Sequence, residues 1–194
     1  FVGENGTGKS TLLEAIAVAE GFNPEGGTKN YNFSTYDSHA ELHDAIQLIK
    51  GYRRPKGGYF LRAESFYNVA TKEKEYRTNR NYHEKSHGES FLELAQSQFR
   101  GNGVYILDEP EAALSPQRQL TLMLEIQRCV QEGAQFLIAT HSPILMTLPD
   151  AEILTFDNGT IKPCSYEDTG AYMITKMFMD DRERVLANLF GNNE

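Results

Sequence analysis

The segment Gly3-Glu4-Asn5-Gly6-Thr7-Gly8-Lys9-Ser10 fits G-x-x-x-x-G-K-[ST] without a gap, a spacing suited to holding a chain of phosphates. Glycines let successive backbone amides curl around an anion without steric cost. A helix beginning at Lys9-Ser10-Thr11 would add positive partial charge at its start. Lys9 can reach the outer phosphates, and Ser10 supplies a hydroxyl for magnesium. Two further segments have chemistry to offer. Val104-Tyr105-Ile106-Leu107 ends in Asp108-Glu109-Pro110, placing two carboxylates where an apolar strand leaves the core. Pro110 is expected to force a turn there, so that Asp108 can serve a metal and Glu109 can act as a general base on water, a role worth roughly 10² to 10⁴ in rate. Thr140-His141-Ser142-Pro143 follows a second apolar run, Phe136 to Ala139, so His141 is expected on the same strand-end rim as a phosphate contact.

Elements must exist to bring these residues together. Leu12, Leu13, Ile16 and Ala19 make a helical stripe from Thr11 to Glu20 that Gly21 closes. Leu42, Ile46 and Ile49 predict a helix from about His39 to Lys50. Tyr59 to Leu61, Val104 to Leu107 and Phe136 to Ala139 read as strands, the apolar runs of a buried parallel sheet. Ser115-Pro116 offers an N-cap and an N1 proline for a helix running to Gly133. Residues 152–162, with Asn158-Gly159 at the centre, predict a hairpin, and Tyr172 to Phe190 a helical tail. The alternation points to an α/β layered domain with a mostly parallel sheet.

Bulk properties narrow the class. The 194 residues suit one domain, and Cys129 and Cys164 form no CxxC pair, so neither zinc nor a disulfide framework is suggested and a reducing cytoplasm fits. Apolar runs are far shorter than the roughly 20 residues needed to cross a bilayer. The chain opens on Phe1-Val2-Gly3 without a methionine, leaving room for an upstream segment. Net charge is −8, which opposes a uniformly basic nucleic-acid binder. Lys50 to Lys85 nevertheless holds 10 Lys or Arg against 4 Glu. That stretch is either a solvated face or a surface for DNA or another partner. His39, His43 and His83 lack a comparable setting and are read as surface residues.

Ser86-His87-Gly88-Glu89 has two readings. Ser86 followed by Glu89 ahead of Phe91, Leu92, Leu94 and Ala95 is a capping box. A serine, a glycine and free amides at a helix start can equally grip a phosphate. The order phosphate loop, Ser-x-Gly-Glu, apolar-Asp-Glu, apolar-Thr-His-Ser resembles the ABC-like class of P-loop ATPases, and nearly the whole chain to about Pro163 takes part. The resemblance implies an ABC- or RecA-like fold, a mostly parallel sheet flanked by helices. It implies that residues 3 to 11, Gly3, Glu4, Asn5, Gly6, Thr7, Gly8, Lys9, Ser10 and Thr11, bind ATP, and that Ser10 and Asp108 hold Mg2+. Lys9, Glu109 and His141 would do the catalysis. Ser86, Gly88 and Glu89 would act on the nucleotide of a second copy in an ATP-dependent homodimer, with Ala113-Leu114-Ser115-Pro116 touching the partner and Glu64 at the glutamine-loop position. His87 and Lys85 depart from the class's usual glycine and leucine, and Ser115 from its aspartate.

Only 22 positions separate Glu64 from Ser86, too few for the helical subdomain that docks transporter ATPases on membrane subunits, or for the long coiled coil of chromosome-maintenance ATPases. Asp108-Glu109-Pro110-Glu111, Ala139 to Pro143, Phe60 to Ser65 and Ser86 to Phe91 are similar to short stand-alone bacterial ATPases of the AAA, ABC-like class. The expected organisation is a single domain over 1–194, a short helical insert over 65–100 and a C-terminal helical tail over 165–194. The absence of Asn-Lys-x-Asp favours adenine over guanine. The expected role is a mechanical switch in DNA metabolism or defence, with a transporter subunit and a poorly hydrolysing regulatory module as alternatives.

Overall fold

The computed structural model describes residues 1–29, 41–52, 54–62 and 87–191. Three short apolar runs make its central sheet: β1 (Gly57–Arg62), β2 (Gly103–Asp108) and β3 (Gln135–Ala139) are parallel in the order β1-β2-β3. Leu61 sits opposite Leu107, which sits opposite Ile138, and Asp108 lies between Arg62 and Ala139. Successive side chains of a strand point to opposite faces, and here both faces are covered. Tyr59, Leu61, Tyr105 and Leu107 enter a core shared with Phe91, Leu94, Phe99, Leu122 and Ile126. Phe60 and Ile106 enter a second core with Leu13, Ala17 and Phe22. Helix α1 (Lys9–Glu20) therefore covers one face, and α2 (His87–Gln98) and α3 (Pro116–Gln131) the other. This is the α/β layered fold of a P-loop NTPase, as expected.

Phe1 and Val2 lie in the same layer as the sheet. The Phe1 amine donates to Ile138 O at 2.7 Å and Thr140 N donates to Phe1 O at 3.1 Å, so the segment runs beside β3. On its other side Val2 N donates to Leu154 O and Phe156 N to Val2 O, both at 2.9 Å. There it meets β4 (Leu154–Thr155), which pairs antiparallel with β5 (Lys162–Pro163). The turn between them places Asn158 and Gly159 in the left-handed region, with φ 59° and 69°, the geometry that favours Asn-Gly there. β3 thus stands between the strand feeding the phosphate loop and the strand ending in Asp108.

Caps fall where the residue types direct. Ser115 Oγ accepts from Arg118 N at 3.4 Å at the start of α3, with Pro116 next. One expectation needs correction. The stripe Leu42, Ile46, Ile49 does not make a helix: Glu41–Ala45 is a short 3-10 turn and Ile46 to Lys50 has no regular structure. Ile49 is 97% exposed and Leu42 40%, so the stripe is not buried as one continuous face, and helices of this length depend on packing an apolar face. The tail is two helices, α4 (Gly170–Asp180) and α5 (Arg182–Phe190), broken at Asp181. Asp181 has extended φ (−153°), and its carboxylate accepts from Arg184 N at 3.0 Å to start the second helix. Of the 65–100 insert, 65–86 lies outside the described residues, and α2 packs Phe91, Leu94 and Ala95 into the main core. Among the described residues no helix is long and apolar enough to cross a membrane.

Candidate functional site

The phosphate loop runs from the end of Val2 to the first turn of α1. Gly6 (φ 79°) and Gly8 (φ 94°) adopt left-handed backbone, which a side chain would penalise. Thr7 Oγ1 donates to Glu4 O at 2.9 Å and closes the loop on itself. Leu12 N donates to Gly8 O at 2.9 Å, so the amides ahead of it, those of Lys9, Ser10 and Thr11, belong to the helix start that has no intrahelical acceptor. Lys9 is 4% exposed, and its Nζ donates to Gly3 O and Glu4 O, each at 2.8 Å. An ammonium has three N–H groups, which leaves a third for an outer phosphate. Burial pulls the Lys9 pKa below the ordinary lysine range, and the carboxylates of Glu109, Asp108, Asp157 and Glu4 oppose that pull.

Ser10 Oγ donates to Asp108 Oδ1 at 2.9 Å across 98 residues of sequence. The other oxygen, Oδ2, is 3.8 Å from Arg62 Nε, while Arg62 Nη1 donates to Glu14 Oε2 at 2.7 Å. A hydroxyl and a carboxylate oxygen beside a phosphate loop fit magnesium, a hard cation usually held by one or two protein oxygens plus phosphates and water. Among the described residues no group of three His, Cys, Asp or Glu could hold a metal ion by itself.

Glu109 has φ 50° and ψ 51°. The turn expected at Pro110 begins one residue earlier, in the left-handed backbone of Glu109 itself, where Glu109 N donates to Ala139 O at 2.9 Å. Glu109 Oε1 then lies 3.7 Å from His141 Nε2, so the two residues assigned to catalysis share one rim. The loop carrying His141 is pinned on several sides. His141 N donates to Glu111 Oε1 at 2.6 Å, Ser142 Oγ donates to Gln119 Oε1 at 2.5 Å, and Ser142 Oγ accepts from Ile144 N and Leu145 N. His141 Nε2 and Glu111 Oε2 are enclosed and make no hydrogen bond, which leaves both able to take a partner.

Ser86 and Glu64 lie outside the described residues, as do Arg53 and residues 63–85 of the basic stretch. Lys50, at its start, pairs with Glu20 at 2.8 Å. Gly88 is buried, and a Cβ there would lie 2.7 Å from Arg118 Nη1 and 3.0 Å from Ala113 O. Its lack of a side chain therefore lets the α2 start close on the segment after the acidic strand. Glu89 Oε1 accepts from Arg118 Nη2 at 2.9 Å on that seam.

Four polar residues at the rim escaped the sequence reading: Arg62, Glu111, Gln119 and Asp157. Arg62 could have been found, since it ends an apolar strand much as Asp108 does. Asp157 carried no signal beyond that of a turn residue, yet its Oδ1 accepts from Glu4 N of the phosphate loop at 3.2 Å.

A family model described as "AAA domain, putative AbiEii toxin, Type IV TA system" matches residues 35–147, a span that holds β1 to β3, Asp108, Glu109 and His141. No curated protein matches the chain.

Proposed function

The chain belongs to this AAA-domain family, a family of P-loop NTPases, and from that premise we propose that it is a magnesium-dependent ATPase that closes as a head-to-tail homodimer. The observation that carries the reading is the Ser10–Asp108 hydrogen bond at 2.9 Å. It joins the two oxygen donors of a metal site beside a lysine with one N–H to spare. In this reading the loop amides and Lys9 hold the phosphates of ATP. Magnesium, bound through Ser10 and Asp108, would neutralise charge on those phosphates. Glu109 takes the proton of the attacking water, and its left-handed backbone turns the carboxylate toward the rim that His141 shares. His141 Nε2, which has no hydrogen-bond partner, donates to or accepts from the outer phosphate region. The start of α2, near Gly88, closes on the nucleotide of the second copy.

The test is mass in solution of Glu109→Gln with and without Mg-ATP. The variant is expected to keep ATP, lose turnover and accumulate as a dimer only when Mg-ATP is present. Equal hydrolysis by wild type and variant would remove Glu109 from the chemistry. A use in DNA metabolism or defence is supported by the toxin in the family's description and by the cation excess of Lys50 to Lys85. It requires DNA binding that weakens steeply with salt and is lost when Lys72, Lys74, Arg77 and Arg80 are replaced by alanine; binding untouched by those changes counts against it.

A further inference from the structure

We infer that Asp157 is a positioning residue for the phosphate loop: its carboxylate fixes the Gly3–Glu4 peptide so that Lys9 is held ready for nucleotide. The inference rests on the nucleotide site proposed above, and Asp157 lies beyond the stretch the family match covers. A trans peptide points its C=O and N–H in opposite directions. In the peptide joining Gly3 to Glu4, the carbonyl accepts from Lys9 Nζ at 2.8 Å while the amide donates to Asp157 Oδ1 at 3.2 Å. The plane is therefore clamped from both sides, carboxylate to amide and carbonyl to ammonium, and hydrogen bonds in such a chain polarise one another.

Asp157 is itself held. Thr155 Oγ1 donates to Oδ2 at 2.7 Å and accepts from Asp157 N at 3.3 Å. β4, which carries Thr155, is bonded on both sides of Val2, so the backbone sets the distance between carboxylate and loop. The approach is close: a Cβ on Gly3 would stand 3.0 Å from Asp157 Oδ1 and 3.4 Å from Phe156 Cβ. A carboxylate beside a phosphate site repels the ligand and would have no place there for binding it. Its position is explained by the peptide it orients, which presents Gly3 O to Lys9.

The experiment measures affinity for Mg-ATP and Mg-ADP in wild type, Asp157→Ala, Asp157→Asn and Lys9→Ala, with thermal melting and amide exchange at Glu4 in the nucleotide-free proteins. Asp157→Ala is expected to bind both nucleotides about tenfold more weakly, the loss of one hydrogen bond to a charged group, and to exchange the Glu4 amide faster. Asp157→Asn keeps an acceptor oxygen and is expected to stay within about threefold of wild type. A merely structural role would lower the melting temperature of Asp157→Ala and leave affinity per folded molecule unchanged. That result, or equal weakness in Asp157→Asn and Asp157→Ala, overturns the inference. Should Asp157→Ala fail to fold, Thr155→Val removes the hydroxyl that donates to the carboxylate and accepts from the Asp157 amide while keeping the carboxylate itself, and wild-type affinity there overturns it as well. Failure of folded wild type to bind nucleotide, or full binding by Lys9→Ala, would instead overturn the site reading and this inference with it.

Discussion

Replacing Glu109 by glycine should make the protein more stable and less active at once. Glu109 sits at φ 50° and ψ 51°, backbone that costs an L residue roughly 1 to 2 kcal/mol. Glycine avoids that cost but loses about 0.5 to 1 kcal/mol through its greater freedom in the unfolded chain, leaving a net gain of about 0.75 kcal/mol between the midpoints of those ranges. The side chain's own contribution is small, because Glu109 and His141 are each about two-fifths exposed and 3.7 Å apart, and such pairs contribute little. Glu109→Gln controls for it, since it keeps the backbone cost and removes the charge. Glu109→Gly should therefore melt about 1 to 4 °C above Glu109→Gln for a domain of this size. Both should lose roughly 10² to 10⁴ in hydrolysis rate. If the glycine variant melts at or below the glutamine variant, the turn is not strained and the argument that backbone geometry aims Glu109 is wrong.

Ser10→Ala removes the hydroxyl that meets Asp108, and is expected to weaken Mg-ATP binding about tenfold while affecting metal-free ATP less; an equal loss in both would mean that Ser10 serves the loop and not the cation. The Lys9 pKa is lowered, mainly by burial, so between the folded value and the ordinary lysine value the unfolded chain binds more protons. Stability of the nucleotide-free protein should then rise with pH across that window, while nucleotide affinity, which needs the charged ammonium, should fall. Denaturant melts and binding curves across the alkaline range should diverge, and parallel trends would count against a buried charged Lys9.

Much of this arrangement was legible in local sequence because local chemistry determines it. The phosphate loop requires glycine at left-handed positions, a parallel strand buried on both faces must be apolar throughout, and Ser115-Pro116 can hardly be anything but a helix start. The hairpin announced itself through Asn158-Gly159. What could not be read depends on pairing at a distance. Nothing near Phe136 says that its strand separates the loop strand from the acidic strand, because neighbour order is settled by packing across the whole sheet. The bond from Glu4 N to Asp157 spans 153 residues, and an aspartate before Asn-Gly looks like any other turn residue. The false helix at Leu42, Ile46 and Ile49 arose from the opposite cause: the stripe is real, but Leu42 and Ile49 stay exposed and do not bury it as a face.

The placement of Phe1-Val2 in mid-sheet sets a timetable for synthesis. Phe1 and Val2 meet their lateral partners in residues 138–140 and 154–156, so a growing polypeptide on the ribosome carries its phosphate loop without that support until those residues have been translated. Such distant pairings are slow to form. Ligand capture by the nascent polypeptide must accordingly be a late event, arriving with the hairpin that bears Asp157.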